Sequence, residues 1–156
     1  MSDHLFLQRA IHLAREHSRD GTAGPFGAVV VHDGKMVGEG WNRVVDARDP
    51  TAHAEVLAIR DAARRLDTHV LEGCTIYSSC EPCPMCLAAI YWARIGRVVF
   101  AASGEDAREA GFDDALIARE LKLDWSNRSV ESRRTLEEEG REVLDLWKRN
   151  PLKKEY

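Results

Sequence analysis

The sequence predicts a three-layer α/β/α sandwich built on a mixed sheet of about five strands. Its 156 residues, of which 44% are hydrophobic, are enough for one hydrophobic core and too few for two ordinary cores. Asp33-Gly34, a two-residue turn signal between two strand-like runs, predicts a β-hairpin. Further along, strand and helix patterns alternate in short steps, which favours parallel strands joined by crossover helices. A hairpin followed by crossovers predicts a mixed sheet with helices on both faces.

The first part of the chain supplies a helix and the hairpin. Apolar residues recur at helical spacing between a polar start at Ser2 and a stop near Gly21, so we expect the first helix there, covering one face of the sheet. Two antiparallel strands are expected at 26–31 and 36–41.

The middle of the chain supplies the crossovers. Apolar residues between 51 and 66 predict a helix that is apolar around most of its circumference. Strands are expected at 74–78 and 98–101. Between them, a second buried helix is expected at 82–94, with proline in its first turn, where the missing N–H has no helical partner.

The C-terminal part predicts a short helix at 114–121, a weak edge strand at 129–131 as the fifth strand, and an amphipathic helix at 135–148. No repeat or low-complexity linker interrupts the chain. We therefore expect a single domain over 1–156, in which 132–156 form a C-terminal helix and tail that could close a site.

Charge and hydropathy narrow the classes of function. The net charge is -4, and the basic pairs Arg133-Arg134 and Lys153-Lys154 lie among glutamates, which argues against a nucleic-acid-binding face. No signal peptide is evident, and no apolar stretch reaches the roughly 20 residues of a membrane helix. A cytoplasmic protein is expected. Disulfides are rare in that reducing compartment, so the four cysteines are expected to be thiols or metal ligands.

Three of these cysteines, Cys80, Cys83 and Cys86, fall within seven positions. With His53, the last two complete a pattern of His-x-Glu followed by Pro-Cys-x-x-Cys, which is characteristic of zinc deaminases. One imidazole and two thiolates suit Zn²⁺, and three protein ligands leave the fourth tetrahedral position open for water. We therefore expect one catalytic zinc ion held by His53, Cys83 and Cys86.

Glu55 lies two residues after His53 and is not needed as a ligand. A carboxylate beside a metal-activated water can take its proton and deliver it to a ring nitrogen and to the leaving amine. We predict that Glu55 is the proton shuttle of a hydrolytic deamination. The alternative is a protein that is not an enzyme. In it, Cys80 is a fourth zinc ligand and the ion only stabilises the fold of an interaction module.

Five segments of the chain resemble the bacterial guanine deaminases of the cytidine deaminase superfamily, over almost the full length. The resemblance implies the cytidine deaminase-like fold and the hydrolysis of a purine substrate, guanine, to xanthine and ammonia. The chain departs from the family pattern between 124 and 139, where it is more charged. The segments that carry the resemblance are 24–29, 49–55, 79–86, 110–114 and 153–156.

The resemblance also implies roles for individual residues. Beside Glu55, Asp114 would be catalytic, because it would help to move a proton to the departing ammonia. The family's members are dimers, so a homodimer is implied, with a C-terminal segment that could be exchanged between subunits. The implied substrate-binding residues are Phe26 as an aromatic wall, Asn42 at the purine edge, Ala54 through its backbone, and Trp92 and Tyr156 as closing residues.

Two other enzymes remain as alternatives. A tRNA adenosine deaminase would share the zinc motif and Trp41-Asn42-Arg43, but the acidic balance and the aromatic C-terminus oppose it. The second alternative is a guanosine or cytosine deaminase, because only a few residues determine whether a substrate pocket admits ribose.

Overall fold

The chain forms four strands, seven α-helices and one 3-10 helix across residues 2–156, the part that a computed structural model describes. In chain order they are α1 (Asp3–His17), β1 (Gly27–His32), β2 (Lys35–Trp41), α2 (Val44–Ala47), α3 (Ala54–Leu66), β3 (Thr75–Cys80), α4 (Pro84–Trp92), β4 (Arg97–Ala102), α5 (Gly104–Glu109), α6 (Ala115–Glu120), the 3-10 helix (Trp125–Asn127) and α7 (Glu137–Arg149).

The sheet is mixed, as predicted, with the strand order β2-β1-β3-β4. β1 pairs antiparallel with both β2 and β3, and β3 pairs parallel with β4. β2, β3 and β4 therefore run in one direction, and the helices that follow β2 and β3 start at the same edge of the sheet. In the hairpin, Asp33 and Gly34 both have positive φ, as a tight turn of two residues requires.

The sheet has four strands where about five were expected. The expected edge strand at 129–131 is wrong, because no strand forms between 115 and 156, all of which the structure describes. Val130 is the single apolar residue of that segment and is 70% exposed. The N–H of Ser129 donates instead to a carboxylate oxygen of Glu120, at 2.6 Å. A polar segment gains little from packing on a sheet, and an amide that is already hydrogen-bonded to a side chain is not available to pair with an edge strand.

One face of the sheet is covered by α3 and α4. Ala54, Ala58 and Ala62 of α3 have no exposed surface. Opposite them, a Cβ atom on Gly40 would lie 2.4 Å from the carbonyl oxygen of Ala54, and one on Gly38 2.5 Å from that of Ala58. The backbones of β2 and α3 are thus in direct contact. This close packing requires glycine at both strand positions.

The opposite face is covered by α1, which makes the predicted third layer. A cluster of larger buried side chains fills the space between the helix and the sheet. At its rim, the Asp3 carboxylate accepts hydrogen bonds from the Tyr77 hydroxyl at 2.7 Å and from the Arg97 guanidinium at 2.9 Å. The members of the cluster are Phe6, Leu13, Val29, Val31 and Tyr77.

The chain divides into two compact units, one that extends to Asp114 and one that covers Ala115–Tyr156. The second unit, described throughout, contains α6, the 3-10 helix and α7, and none of its residues is buried. The helices expected at 114–121 and 135–148 are confirmed with slightly different bounds. Within residues 2–156, no helix combines the length and the apolar character needed to cross a bilayer.

Candidate metal centre and active site

Two helix starts present the predicted metal ligands. His53 and Cys83 are the N-cap residues of α3 and α4, with extended backbones at ψ 153 and 167. The predicted helix starts at 51 and 82 are therefore wrong by two or three residues, and His53 precedes the first turn where it was expected to lie within it. An N-cap residue leaves the helical path, so its side chain is free to project across the helix end. Neither residue uses its side chain to cap its helix.

The three predicted ligands form a cluster suited to hold one zinc ion. The Nδ1 atom of His53 lies 3.5 Å from the sulfur of Cys83 and 3.5 Å from that of Cys86. All three ligand atoms lie within 4.8 Å of one another. Tetrahedral Zn²⁺ with ordinary Zn–N and Zn–S bond lengths separates nitrogen and sulfur by about 3.6 Å. The donor set and its spacing both fit the ion.

Hydrogen bonds within this cluster perturb the titration of its members. The contact with the Cys86 side chain lowers the pKa of the Cys83 thiol to about 4, with His53 contributing in the same direction. The same contact, together with burial, raises the pKa of Cys86. The hydrogen bond to Cys83 raises the pKa of His53. Because metals bind thiolates, zinc would displace the remaining thiol proton.

Glu55 lies beside the cluster and is 5% exposed. Its Oε1 accepts a hydrogen bond from the Ser78 hydroxyl at 3.0 Å, and its Oε2 accepts one from the Cys86 thiol at 3.4 Å. Burial raises the pKa of this carboxyl. A carboxyl group with a raised pKa is better suited both to accept and to release a proton during a reaction. One carboxylate oxygen therefore faces the ligand cluster and the other faces β3.

Phe26 and Asn42 lie together at the same end of the sheet. The Asn42 N–H donates to the carbonyl oxygen of Phe26 at 3.0 Å, and the next residue, Arg43, donates its N–H to the carbonyl of Ala52 at 2.9 Å. These two bonds connect the ends of β1 and β2 to the start of α3. Asn42 is buried, and the ring of Phe26 meets that of Phe112 edge to face at 4.9 Å.

The remaining predicted residues are more scattered. Ala54, fully buried, is the first residue of α3, and Asp114 is half-buried two positions after Phe112. Trp92 ends α4, about 12 Å along its axis from Pro84, and is 63% exposed with the Arg94 guanidinium 5.9 Å from its ring. Tyr156 is an exposed residue of the second unit.

Cys80 does not join the ligand cluster. The cluster consists of His53, Cys83 and Cys86, whereas the Cys80 thiol donates to the carbonyl oxygen of Ser103 at 3.4 Å. This arrangement opposes the closed four-ligand site, in which zinc would serve the fold alone.

Ser78 is the contact of Glu55 that sequence reasoning missed. The sequence predicts it only as the last residue of the strand at 74–78. The alternation of side chains along β3 could have indicated this contact. Ile76 and Ser78 point to the same face of the sheet, toward α3, and a polar side chain at a buried strand position needs a hydrogen-bond partner.

Comparison with known proteins agrees with this geometry. The family described as the cytidine and deoxycytidylate deaminase zinc-binding region matches residues 1–102. The chain belongs to this family. The deaminase is 47% identical to guanine deaminase of Bacillus subtilis over 156 residues, which is 100% of both chains. It is 43% identical to a tRNA-specific adenosine deaminase of Aquifex aeolicus over 102 residues, 65% of this chain and 67% of the relative.

Solved structures show the same relationships. The crystal structure of the Bacillus subtilis guanine deaminase matches with a TM-score of 0.96 over 100% of this chain and 99% of the other, at 47% identity. A guanine deaminase from Nitrosomonas europaea matches with a TM-score of 0.65 over 70% of this chain and 63% of the other, at 34% identity. The deaminase therefore has the cytidine deaminase-like fold that its sequence predicted.

Proposed function

We propose that this deaminase hydrolyses guanine to xanthine and ammonia. The observation that carries the proposal is the match to a guanine deaminase, which extends over the whole of both chains. The match to the tRNA-specific adenosine deaminase covers 65% of this chain, at lower identity. Relatedness to guanine deaminase therefore includes the second unit.

His53, Cys83 and Cys86 would hold the zinc ion. When bound, the ion would supply Lewis-acid activation that makes a water molecule nucleophilic near neutral pH. In the overall reaction, the water oxygen bonds to the carbon that bears the exocyclic amine, and the bond from that carbon to the amine nitrogen breaks. Glu55 would carry the two protons of the water in turn, the first to the ring nitrogen and the second to the leaving amine. Its buried place beside the ligands supports this role.

The guanine ring would lie between the side chain of Phe26 and the cluster of metal ligands. Asn42, buried between the strand ends and the start of α3, would hydrogen-bond the purine edge with its amide, which offers both a donor and an acceptor. Ala54 would contribute backbone contacts beside the metal. Asp114 would help to protonate the departing ammonia, and its closeness in sequence to Phe112, which contacts Phe26, supports that position.

We propose that 1–156 act as one deaminase domain in which 132–156 close the site, with Trp92 and Tyr156 as closing residues. We also propose a homodimer in which the C-terminal segment is exchanged between subunits. Exposed apolar side chains on α7 support contact with a second copy of this chain, because an amphipathic helix ordinarily buries its apolar face. Those of α7 are Val143, Leu144, Leu146 and Trp147.

The cytoplasm is the proposed location of the enzyme. None of the four cysteines forms a disulfide in the structure, and two of them, Cys83 and Cys86, would serve as metal ligands. Thiols persist in a reducing compartment, whereas disulfides are typical of an oxidising one.

The test is ammonia release from a panel of substrates by purified, zinc-loaded protein. The panel contains guanine, guanosine, cytosine, cytidine, adenine and a tRNA anticodon stem with an adenosine. A Glu55→Gln protein purified in parallel controls for contaminating deaminases. We expect release from guanine alone. Release only from the RNA would contradict the proposed substrate, and silence on all six would favour the non-catalytic zinc module.

A further inference from the structure

We infer that Ser78 is a positioning residue for Glu55, whose hydroxyl holds one carboxylate oxygen so that the other faces the metal ligands. The inference rests on the proposed function, because it concerns how the proton shuttle of that reaction is oriented. Nothing in the zinc motif requires a hydroxyl at this position, which lies five residues before Cys83.

The geometry of the contact distinguishes the two carboxylate oxygens. Ser78 is 1% exposed and lies in β3, on the face that packs against α3. Its Oγ donates to Oε1 of Glu55 at 3.0 Å, whereas Oε2 lies 3.4 Å from the sulfur of Cys86. One oxygen is therefore bonded to the sheet, and the other faces the ligand residue Cys86.

This asymmetry has a chemical consequence. The terminal torsion of a glutamate side chain is broad, so packing alone does not determine which oxygen faces the metal. Because the Ser78 hydroxyl donates to Oε1, the proton that Glu55 takes from water is placed on Oε2. That oxygen is the one from which the proton can be delivered to the substrate. Without the hydroxyl, a buried carboxylate oxygen would lose its partner, and the carboxylate would reorient.

Ser79, the next residue, gives an internal contrast. Its hydroxyl is also largely buried, but it accepts a hydrogen bond from the N–H of Gly27 at 3.0 Å and joins β3 to the start of β1. A hydroxyl with a structural role is therefore available on the same strand as a control.

The experiment compares Ser78→Val with Ser78→Thr. The two variants have the same shape and differ only in a methyl group against a hydroxyl, so any packing strain is common to both. We expect Ser78→Thr to keep most of the activity and Ser78→Val to lose about 10- to 100-fold in kcat, the loss expected for one hydrogen bond to a charged group. The KM for guanine and the zinc content should be similar in both. Ser79→Ala should change the thermal midpoint and leave kcat unchanged.

Two further measurements show whether Ser78 acts through Glu55. In a Glu55→Gln background, Ser78→Val should cause no additional loss of kcat, because the shuttle is already absent. Crystal structures should show the Glu55 carboxylate bonded to the hydroxyl in Ser78→Thr and turned away in Ser78→Val.

Equal kcat values for the Thr and Val variants, or an unmoved carboxylate in Ser78→Val, would overturn the inference. If Ser78→Val does not fold, Ser78→Ala, which adds no volume, replaces it in every measurement. Absence of ammonia release from the unsubstituted protein would contradict the proposed function instead, and the crystallographic comparison would still decide whether Ser78 holds Glu55.

Discussion

The two faces of the sheet differ in what they bury. On the α3 face, a carboxylate, a serine hydroxyl and the buried ligand residue Cys86 lie among alanines and branched aliphatic side chains. On the α1 face, the core cluster consists of aromatic and aliphatic residues, and the ion pair of Asp3 and Arg97 lies at its rim. Buried polar groups destabilise a fold unless each has a partner, so they are retained where chemistry needs them.

We therefore expect the chemistry to be confined to the α3 face and the α1 face to serve stability. Substitutions on the α3 face should change activity, whereas those on the α1 face should change the free energy of unfolding and leave the reaction of the folded protein intact.

Glu55→Gln should remove most of the activity. General acid-base catalysis contributes about 10²- to 10⁴-fold, so a loss of that size in kcat is expected. The amide keeps the shape of the side chain and is not a metal ligand, so zinc content and thermal midpoint should stay close to those of the unsubstituted protein. Turnover at the original rate would contradict the role of Glu55.

Cys83→Ala should lose zinc and stability together. A ligand at 100 times its dissociation constant adds about 2.7 kcal/mol to the free energy of unfolding, so thermal unfolding with and without a chelator measures the effect. The chelator should lower the midpoint of the unsubstituted protein and leave that of Cys83→Ala unchanged. Cys74→Ala, a buried cysteine outside the ligand cluster, is the control and should keep its zinc.

Leu13→Ala and Gly40→Ala should separate the two faces. Leu13 is 1% exposed on the α1 face, and its truncation should cost about 2–5 kcal/mol of stability without altering kcat in the folded fraction. Gly40→Ala places a Cβ against the backbone of Ala54, so it should shift α3 and lower both stability and kcat. Denaturant titration and turnover should be measured on the same samples of both variants. A loss of kcat in Leu13→Ala, under conditions in which the variant is fully folded, would contradict the division of roles between the two faces.

Asp3→Asn should have the smallest effect, and that effect depends on pH. Hydrogen bonds from Arg97 and Tyr77 hold the pKa of the Asp3 carboxyl well below its ordinary value. Its contribution to stability is therefore complete above about pH 4, the unfolded value, and is lost as the pH falls toward the folded one. Thermal midpoints of Asp3→Asn and of the unsubstituted protein should differ slightly at pH 7 and converge at low pH. A difference that grows as the pH falls would contradict the assignment.

Sequence reasoning found the ligand set and the mixed sheet because both depend on local spacing. His53, Cys83 and Cys86 follow a motif, and the Asp33-Gly34 turn follows backbone geometry. The contact of Ser78 with Glu55 joins residues 23 positions apart on a strand and a helix, which spacing alone does not determine.

The errors have local physical causes. The expected strand at 129–131 is polar, and the bond from Ser129 to Glu120 is a side-chain contact that no periodicity reveals. Helix α5 was missed because its six residues include a single alanine and no other apolar side chain, so they show no hydrophobic periodicity, although its capping box of Ser103 and Asp106 is present in the sequence. The predicted helix starts extended past His53 and Cys83 because hydrophobic periodicity does not separate an N-cap from a first turn.

The placement of two ligands at helix N-caps makes the zinc site a cross-link. The joined residues His53 and Cys83 lie 30 positions apart, so an ion held by both would close a loop that contains all of α3 and all of β3. Closing such a loop restricts the unfolded chain, as a disulfide does. The first amide groups of α3, and those of Met85 and Cys86 after Pro84 in α4, lie close to the bridged residues and have no helical acceptor. Hydrogen exchange at these amides would therefore report zinc occupancy before any global unfolding is seen.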